Sequence, residues 1–168
     1  MGVAKKPHPH YFMVKTIKGD LVKLAKESRL FDVYIHGCNC RSIFGAGLAR
    51  QIAQAFPMVY MKDMKSKLKP EEKLGKFTYH TIKNETGARI YIINAYTQFS
   101  VGTGVQVDYV AMRDSFEAIR TMFGGCQMKF AMPMIGAGLG GGDWNKIKTI
   151  IEDVFKDENL TVIDYDKN

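Results

Sequence analysis

The chain has 168 residues, with 24 Lys and Arg against 17 Asp and Glu for a formal charge of +7, and is 46% hydrophobic and 24% charged. That length suits one domain with a two-sided core, and the composition excludes an intrinsically disordered chain. No apolar run approaches the roughly 20 residues of a bilayer-spanning helix, so no membrane association is expected.

Residues 1–10 contain Lys5, Lys6, Pro7 and Pro9 with no hydrophobic segment behind them. They read as a flexible basic leader rather than a signal peptide, leaving residues 11–168 as a single domain. Hydrophobic periodicity gives a first strand over Tyr11 to Ile17, a turn at Lys18-Gly19-Asp20-Leu21 and a helix over Val22 to Glu27. Asp20 is a helix cap or an acceptor for an exocyclic amine, and the two roles are compatible. A strand over Asp32 to His36 follows, then a glycine-bearing loop and a helix over Leu48 to Phe56 that ends at Pro57. A further helix spans Tyr60 to Leu68, and Lys62, Lys65, Lys67, Lys69, Lys73 and Lys76 form a solvated basic face.

Strands over Lys76 to Ile82 and Arg89 to Asn94 flank the polar turn Lys83-Asn84-Glu85-Thr86-Gly87, which predicts an antiparallel hairpin. The helix over Asp108 to Phe123 turns Ala111, Phe116, Ile119, Met122 and Phe123 toward a sheet. A strand over Lys129 to Pro133, a second glycine-rich loop, a helix over Trp144 to Phe155 and a strand over Leu160 to Asp164 complete the series. The alternation predicts an α/β fold, a three-layer domain with a mixed central sheet and helices on both faces. Ligands of such folds gather beyond the carboxyl ends of the strands.

Cys38, Cys40 and Cys126 are odd in number, which argues against a disulfide framework and for a reducing, cytoplasmic setting. No metal site is expected, since His8 and His10 lie in the leader. The positive charge favours anionic ligands generally, with nucleic acid a minor option.

Two loops carry the functional signal. The first runs from His36 through Cys38, Asn39, Cys40 and Arg41 to Gly45-Ala46-Gly47 and opens a helix, whose unpaired N–H groups suit a phosphate. The second, Ile135-Gly136-Ala137-Gly138-Leu139-Gly140-Gly141-Gly142, follows a strand and enters a helix at Asp143-Trp144. Five glycines in seven positions exceed the needs of a simple turn and suit close approach to a diphosphate. The loop lacks the Gly-Lys-Ser/Thr of a Walker loop and the context of a dinucleotide fingerprint.

These residues resemble the macro domain family, in particular the branch of ADP-ribose 1″-phosphate phosphatases and the terminal ADP-ribose protein glycohydrolase. The resemblance runs from Tyr11 to Asp164 and is most specific at Lys18 to Leu21, His36 to Ala49 and Pro133 to Trp144. It implies a macro-type fold and an ADP-ribose or ADP-ribose 1″-phosphate ligand, with no cofactor and a monomeric state. Asp20 would meet the adenine amine and Leu21 would add a backbone contact. Asn39, Gly45, Ala46 and Gly47 would face the distal ribose, and Ile135, Gly136, Ala137, Gly138, Leu139, Gly140 and Gly141 would wrap the diphosphate.

Departures from the branch concern the reaction. Its glycohydrolases use a lysine where Gln98 stands and an acid where Gly140 stands, and another macro branch has an aspartate where Leu48-Ala49 follows the glycines. An amide forms no Schiff base with an opened sugar. Hydrolysis of ADP-ribose 1″-phosphate to ADP-ribose and phosphate is therefore the leading expectation, with a noncatalytic ADP-ribose reader, or removal of ADP-ribose from protein or nucleic acid, as alternatives. The candidates for catalysis are His36 in proton transfer, Asp143 and Asn39. Cys38 and Cys40 read as packing residues or thiol nucleophiles, and Arg41 as a terminal-phosphate ligand or a solvated side chain.

Overall fold

A computed structural model describes residues 14–165; the expected leader and the first part of the first expected strand lie outside the described residues. Twelve elements follow in chain order: β1 (Lys15–Gly19), α1 (Leu21–Glu27), β2 (Val33–Asn39), α2 (Gly47–Ala55), α3 (Pro57–Met64), α4 (Pro70–Lys73), β3 (Phe77–Lys83), β4 (Arg89–Gln98), α5 (Tyr109–Phe123), β5 (Lys129–Pro133), α6 (Trp144–Val154) and β6 (Asn159–Tyr165). The strands form one sheet in the order β1-β6-β5-β2-β4-β3. All neighbours run parallel except β3 and β4, whose antiparallel pairing is the hairpin expected from the Lys83 to Gly87 turn. Asn84 builds that turn: its Oδ1 accepts from the backbone N–H groups of Thr86 and Ala88, while Gly87 takes φ +82°.

Strand alternation sorts the core onto two faces. Val33 and Ile35 of β2 join Ile93, Phe130 and Met132 under α5 and α6, whereas Tyr34 joins Ile92, Ala131 and Ile163 under α1, α2 and α3. A smaller cluster of Cys38, Cys40, Phe44 and Tyr96 lies under the first glycine loop. The expected three-layer α/β arrangement is what the chain adopts, with a mixed sheet covered on both faces.

Several boundaries differ from expectation for local reasons. β2 and β4 run on to Asn39 and Gln98, because Gly37 and Cys38 pair with Ala95 and Tyr96 before the register shifts. Pro57 ends α2 and also opens α3 as its first residue, where a missing N–H costs nothing. In α5 the buried stripe is Met112, Phe116, Ile119 and Phe123 with Ala111 and Ser115, so Met122 faces outward at 55% exposure. The short α4 went unforeseen, and it places Lys73, read from sequence as solvated, in the interior at 4% exposure.

Candidate ligand-binding cleft

β2 and β5 are parallel neighbours, so their carboxyl ends release both glycine loops at the same edge of the sheet. Between the loops lies a cleft of about 510 Å³, floored by Gly37, Cys38, Asn39, Thr97 and Gln98 and walled by Gly45 to Ala49 on one side and by Pro133 to Gly136 and Gly138 to Gly140 on the other. Among the described residues, its lining includes no Lys, Arg, Asp or Glu.

The first loop is organised by Asn39, which is 5% exposed. Its Oδ1 accepts from the backbone N–H groups of Arg41 (2.9 Å) and Ile43 (3.2 Å), and its Nδ2 donates to the Ile43 carbonyl (2.9 Å). The loop delivers the chain into α2, which starts with neither a capping side chain nor an acidic residue in its first turn. Its leading N–H groups therefore stay open at the cleft wall, with the positive end of the helix dipole behind them.

The second loop owes its glycines to more than one cause. A Cβ on Gly136 would lie 2.8 Å from Met112 Cε, and one on Gly142 2.7 Å from Val107 Cγ1, so these two positions are set by packing on the core. Gly141 takes φ +66°, and its N–H donates to the Gly138 carbonyl at 3.0 Å. The Gly140 carbonyl accepts from Gln106 and Val107, tying the loop to the segment before α5. By contrast, the N–H groups of Gly138, Leu139 and Gly140 have no acceptor among the described residues, and all three residues line the cleft. The side chain of Leu139, 71% exposed, leans onto Gly47, where an added Cβ would sit 2.9 Å from Leu139 Cδ1. The two loops thus touch across the cleft.

The expected site residues divide into those at the cleft and those beside it. Asn39, Gly45, Ala46, Gly47, Ile135, Gly136, Gly138, Leu139 and Gly140 line it, whereas Ala137 and Gly141 belong to the second loop without lining it. Asp20 caps α1 by accepting from Lys23 N–H at 3.1 Å, and Leu21 is buried in the second core cluster. Both stand at the same carboxyl edge but at β1, two strands from β5, a displacement of roughly 10 Å along the edge.

The residues expected to do chemistry are placed less favourably. His36 is 1% exposed, on the opposite side of β2 from Ile35, and does not line the cleft. Its Nε2 lies 2.6 Å from Asn94 Oδ1, and its ring meets Phe44 edge-on. Burial lowers its pKa to about 4, with the Asn94 hydrogen bond and the field of Asp63 opposing that shift. Direct proton transfer to a ligand from His36 therefore does not fit this geometry. Asp143 caps α6, accepting from Asn145 N–H at 2.9 Å, and also lies outside the cleft lining.

Cys38 does line the floor, yet burial and then the field of Asp63 hold its thiol well above the ordinary range. Cys40 is fully buried beneath the loop, its thiol pushed up to about 11 by desolvation. Neither is a thiolate near neutral pH. Arg41 is exposed, with Nη1 3.3 Å from Ser100 Oγ, leaving most of its guanidinium donors toward solvent. At Gly140, where the resemblance places an acid in relatives, an added Cβ would meet the Gly136 carbonyl oxygen at 2.9 Å and Gln98 Oε1 at 3.0 Å. The acid is thus absent, and the loop as folded also excludes a side chain at that position.

Thr97 escaped the sequence reading. It is 1% exposed, lines the floor, and its Oγ1 has no hydrogen-bond partner among the described residues. It sits in β4 where the register with β2 shifts between Cys38 and Asn39. Its adjacency to Gln98, already singled out, was the one available hint.

No family profile matches the sequence. An uncharacterized 17.5 kDa protein from the tk-vs intergenic region of Enterobacteria phage T4 is 32% identical over 160 residues, covering 92% of this chain and 97% of the phage protein. An ADP-ribose 1″-phosphate phosphatase of Debaryomyces hansenii is 41% identical over 49 residues, 29% of this chain and 27% of the phosphatase. Among solved structures, the macrodomain of Mycobacterium tuberculosis DarG superposes with a TM-score of 0.74 at 19% identity, covering 93% of this chain and 99% of its own. Thermosipho africanus DarTG in complex with ADP-ribose gives 0.69 at 18% identity, covering 89% of this chain and 40% of that one. The sheet order, the paired glycine loops and these superpositions together show that the chain adopts the macrodomain fold.

Proposed function

We propose that the cleft binds ADP-ribose, with the diphosphate between the two loops, the distal ribose toward Asn39 and Gly45 to Gly47, and the adenine toward Asp20. The observation that carries this reading is the set of unused N–H donors facing one cleft: Gly138, Leu139 and Gly140 from the second loop and the uncapped start of α2 from the first. Such donors match phosphate oxygens and provide positive potential without a charged side chain. Titration calorimetry with ADP-ribose tests it. A Kd in the micromolar range is expected, and absence of heat at millimolar ligand overturns it.

The finer reading is hydrolysis of ADP-ribose 1″-phosphate, with water attacking phosphorus and the sugar oxygen leaving. It is supported by the similarity to the yeast phosphatase and by Arg41, whose open donors can hold a terminal phosphate beside the first loop. A noncatalytic reader is favoured by a different observation: among the described residues Cys38 is the one ionisable side chain lining the cleft, and its thiol stays protonated. Incubation with ADP-ribose 1″-phosphate separates the two. Phosphate release that falls in an Arg41→Ala variant supports the phosphatase; tight ADP-ribose binding with no release above buffer supports the reader.

A further inference from the structure

Beneath the first loop lies a buried polar chain that no direct ligand contact accounts for. Lys73 Nζ donates to Asp63 Oδ1 at 2.9 Å, to the Asp63 carbonyl at 3.3 Å and to Ser42 Oγ at 3.2 Å, which uses all three of its hydrogens. The side chains of the ion pair are 5% and 0% exposed. Tyr96 OH also donates to Asp63 Oδ1, at 2.5 Å, and lies 2.9 Å from Thr78 Oγ1. Asn94 Nδ2 donates to that same Thr78 hydroxyl, and Asn94 Oδ1 meets His36.

One end of this chain reaches the ligand-facing loop. Ser42 holds φ +57°, a left-handed conformation rarely taken by a residue with a side chain, and stands between Arg41 and Ile43, the two residues fastened by Asn39. The loop is therefore pinned from the sheet by Asn39 and from α4 by Lys73. A buried ion pair is a poor source of stability compared with apolar packing, so its consequence is better sought in the geometry it enforces.

We propose that Lys73 is a positioning residue which, by anchoring Ser42, fixes the first loop in the shape that receives the distal ribose, a proposal that rests on the ADP-ribose reading of the cleft. ADP would share the diphosphate contacts of both loops, whereas ADP-ribose adds a distal ribose that only the first loop receives, so Lys73 favours ADP-ribose over ADP without touching either. Ordering a loop at the moment of binding lowers affinity, and the anchor removes that penalty in advance.

The test uses Lys73→Met together with Ser42→Gly, which removes the acceptor while accepting φ +57° and leaves the buried pair intact, and with Ser42→Asn, which restores an acceptor in a residue tolerant of that conformation. Calorimetry with ADP and with ADP-ribose is paired with amide hydrogen exchange over residues 41–47 in the ligand-free protein. The expected result is about a tenfold loss of ADP-ribose affinity in Lys73→Met and Ser42→Gly, recovery in Ser42→Asn, a clearly smaller loss for ADP, and faster exchange in the first two variants. Parent-like ADP-ribose affinity in Ser42→Gly overturns the proposal, as does a parallel fall for both ligands. If the parent binds neither ligand, the ADP-ribose reading falls and the ligand discrimination with it. Unchanged exchange with normal parent binding overturns the anchor alone.

Discussion

His36 makes the pH dependence of folding a direct test of how this site is built. Asn94 Nδ2 is committed to the Val59 carbonyl and Thr78 Oγ1, so Asn94 Oδ1 faces the ring and the neutral histidine donates through Nε2. Among the described residues, Nδ1 has only the Cys38 sulfur, at 3.7 Å, to receive a second proton. The folded state therefore keeps His36 neutral down to about pH 4, whereas the unfolded chain takes up its proton near pH 6.5. Between those values the unfolded state binds more protons, so acid destabilises the fold; the full difference is about 3 kcal/mol. Urea denaturation of the parent and a His36→Gln variant, from pH 7.5 to pH 4.5, isolates this contribution from that of the carboxylates. The parent should lose about 2 to 3 kcal/mol more than the variant across that range, a difference in midpoint of about 1 M. Stability curves that stay parallel for the two proteins would refute a neutral, buried His36 and reopen its role in proton transfer.

Gly140→Ala forces a Cβ against the Gly136 carbonyl oxygen and Gln98 Oε1, and is expected to weaken ADP-ribose binding at least about tenfold by calorimetry, with about 1 to 3 kcal/mol of stability lost. Asp143→Ala removes the cap of α6 and should cost about 1 kcal/mol in denaturant titration while leaving ADP-ribose affinity unchanged; a large loss of affinity would instead make Asp143 a ligand contact. With a thiol reagent at pH 8, the exposed Cys126 should react at once and the buried Cys38 and Cys40 only on unfolding, so three fast thiols in the native protein would contradict the packing described.

The strands, the hairpin and the two glycine loops were legible because each rests on local rules: alternation, turn residues and strand-to-helix glycines. The cap at Asp20 was legible for the same reason, as a polar residue opening an apolar stripe, whereas Asp108, read as the first residue of its helix, is the cap before it. Lys73 was not legible, because a lysine in a lysine-rich stretch reads as solvated, and its partner Asp63 lies ten residues away in another helix. Within the second loop, sequence alone could not divide glycines required by Met112 and Val107 from those left open to a ligand, since that division depends on what packs behind them. His36 shows the same limit: its place at a strand end suggested chemistry, and only the side of the strand it occupies reveals a structural role.

A cleft that offers amide hydrogens rather than cationic side chains sets how its affinity responds to solution conditions. Contacts from lysines would be weakened by counterions, and the charged side chains among the described residues lie outside the lining, where physiological salt screens them over about 8 Å. Donors held at hydrogen-bond distance are screened much less, so ionic strength should slow the capture of a dianionic ligand more than it hastens its release. The main-chain origin of these donors also shifts where substitution is tolerated. Side chains around the rim, such as Val101 and Leu139, can vary in identity while the recognition surface persists, because what must be kept is the path of the backbone.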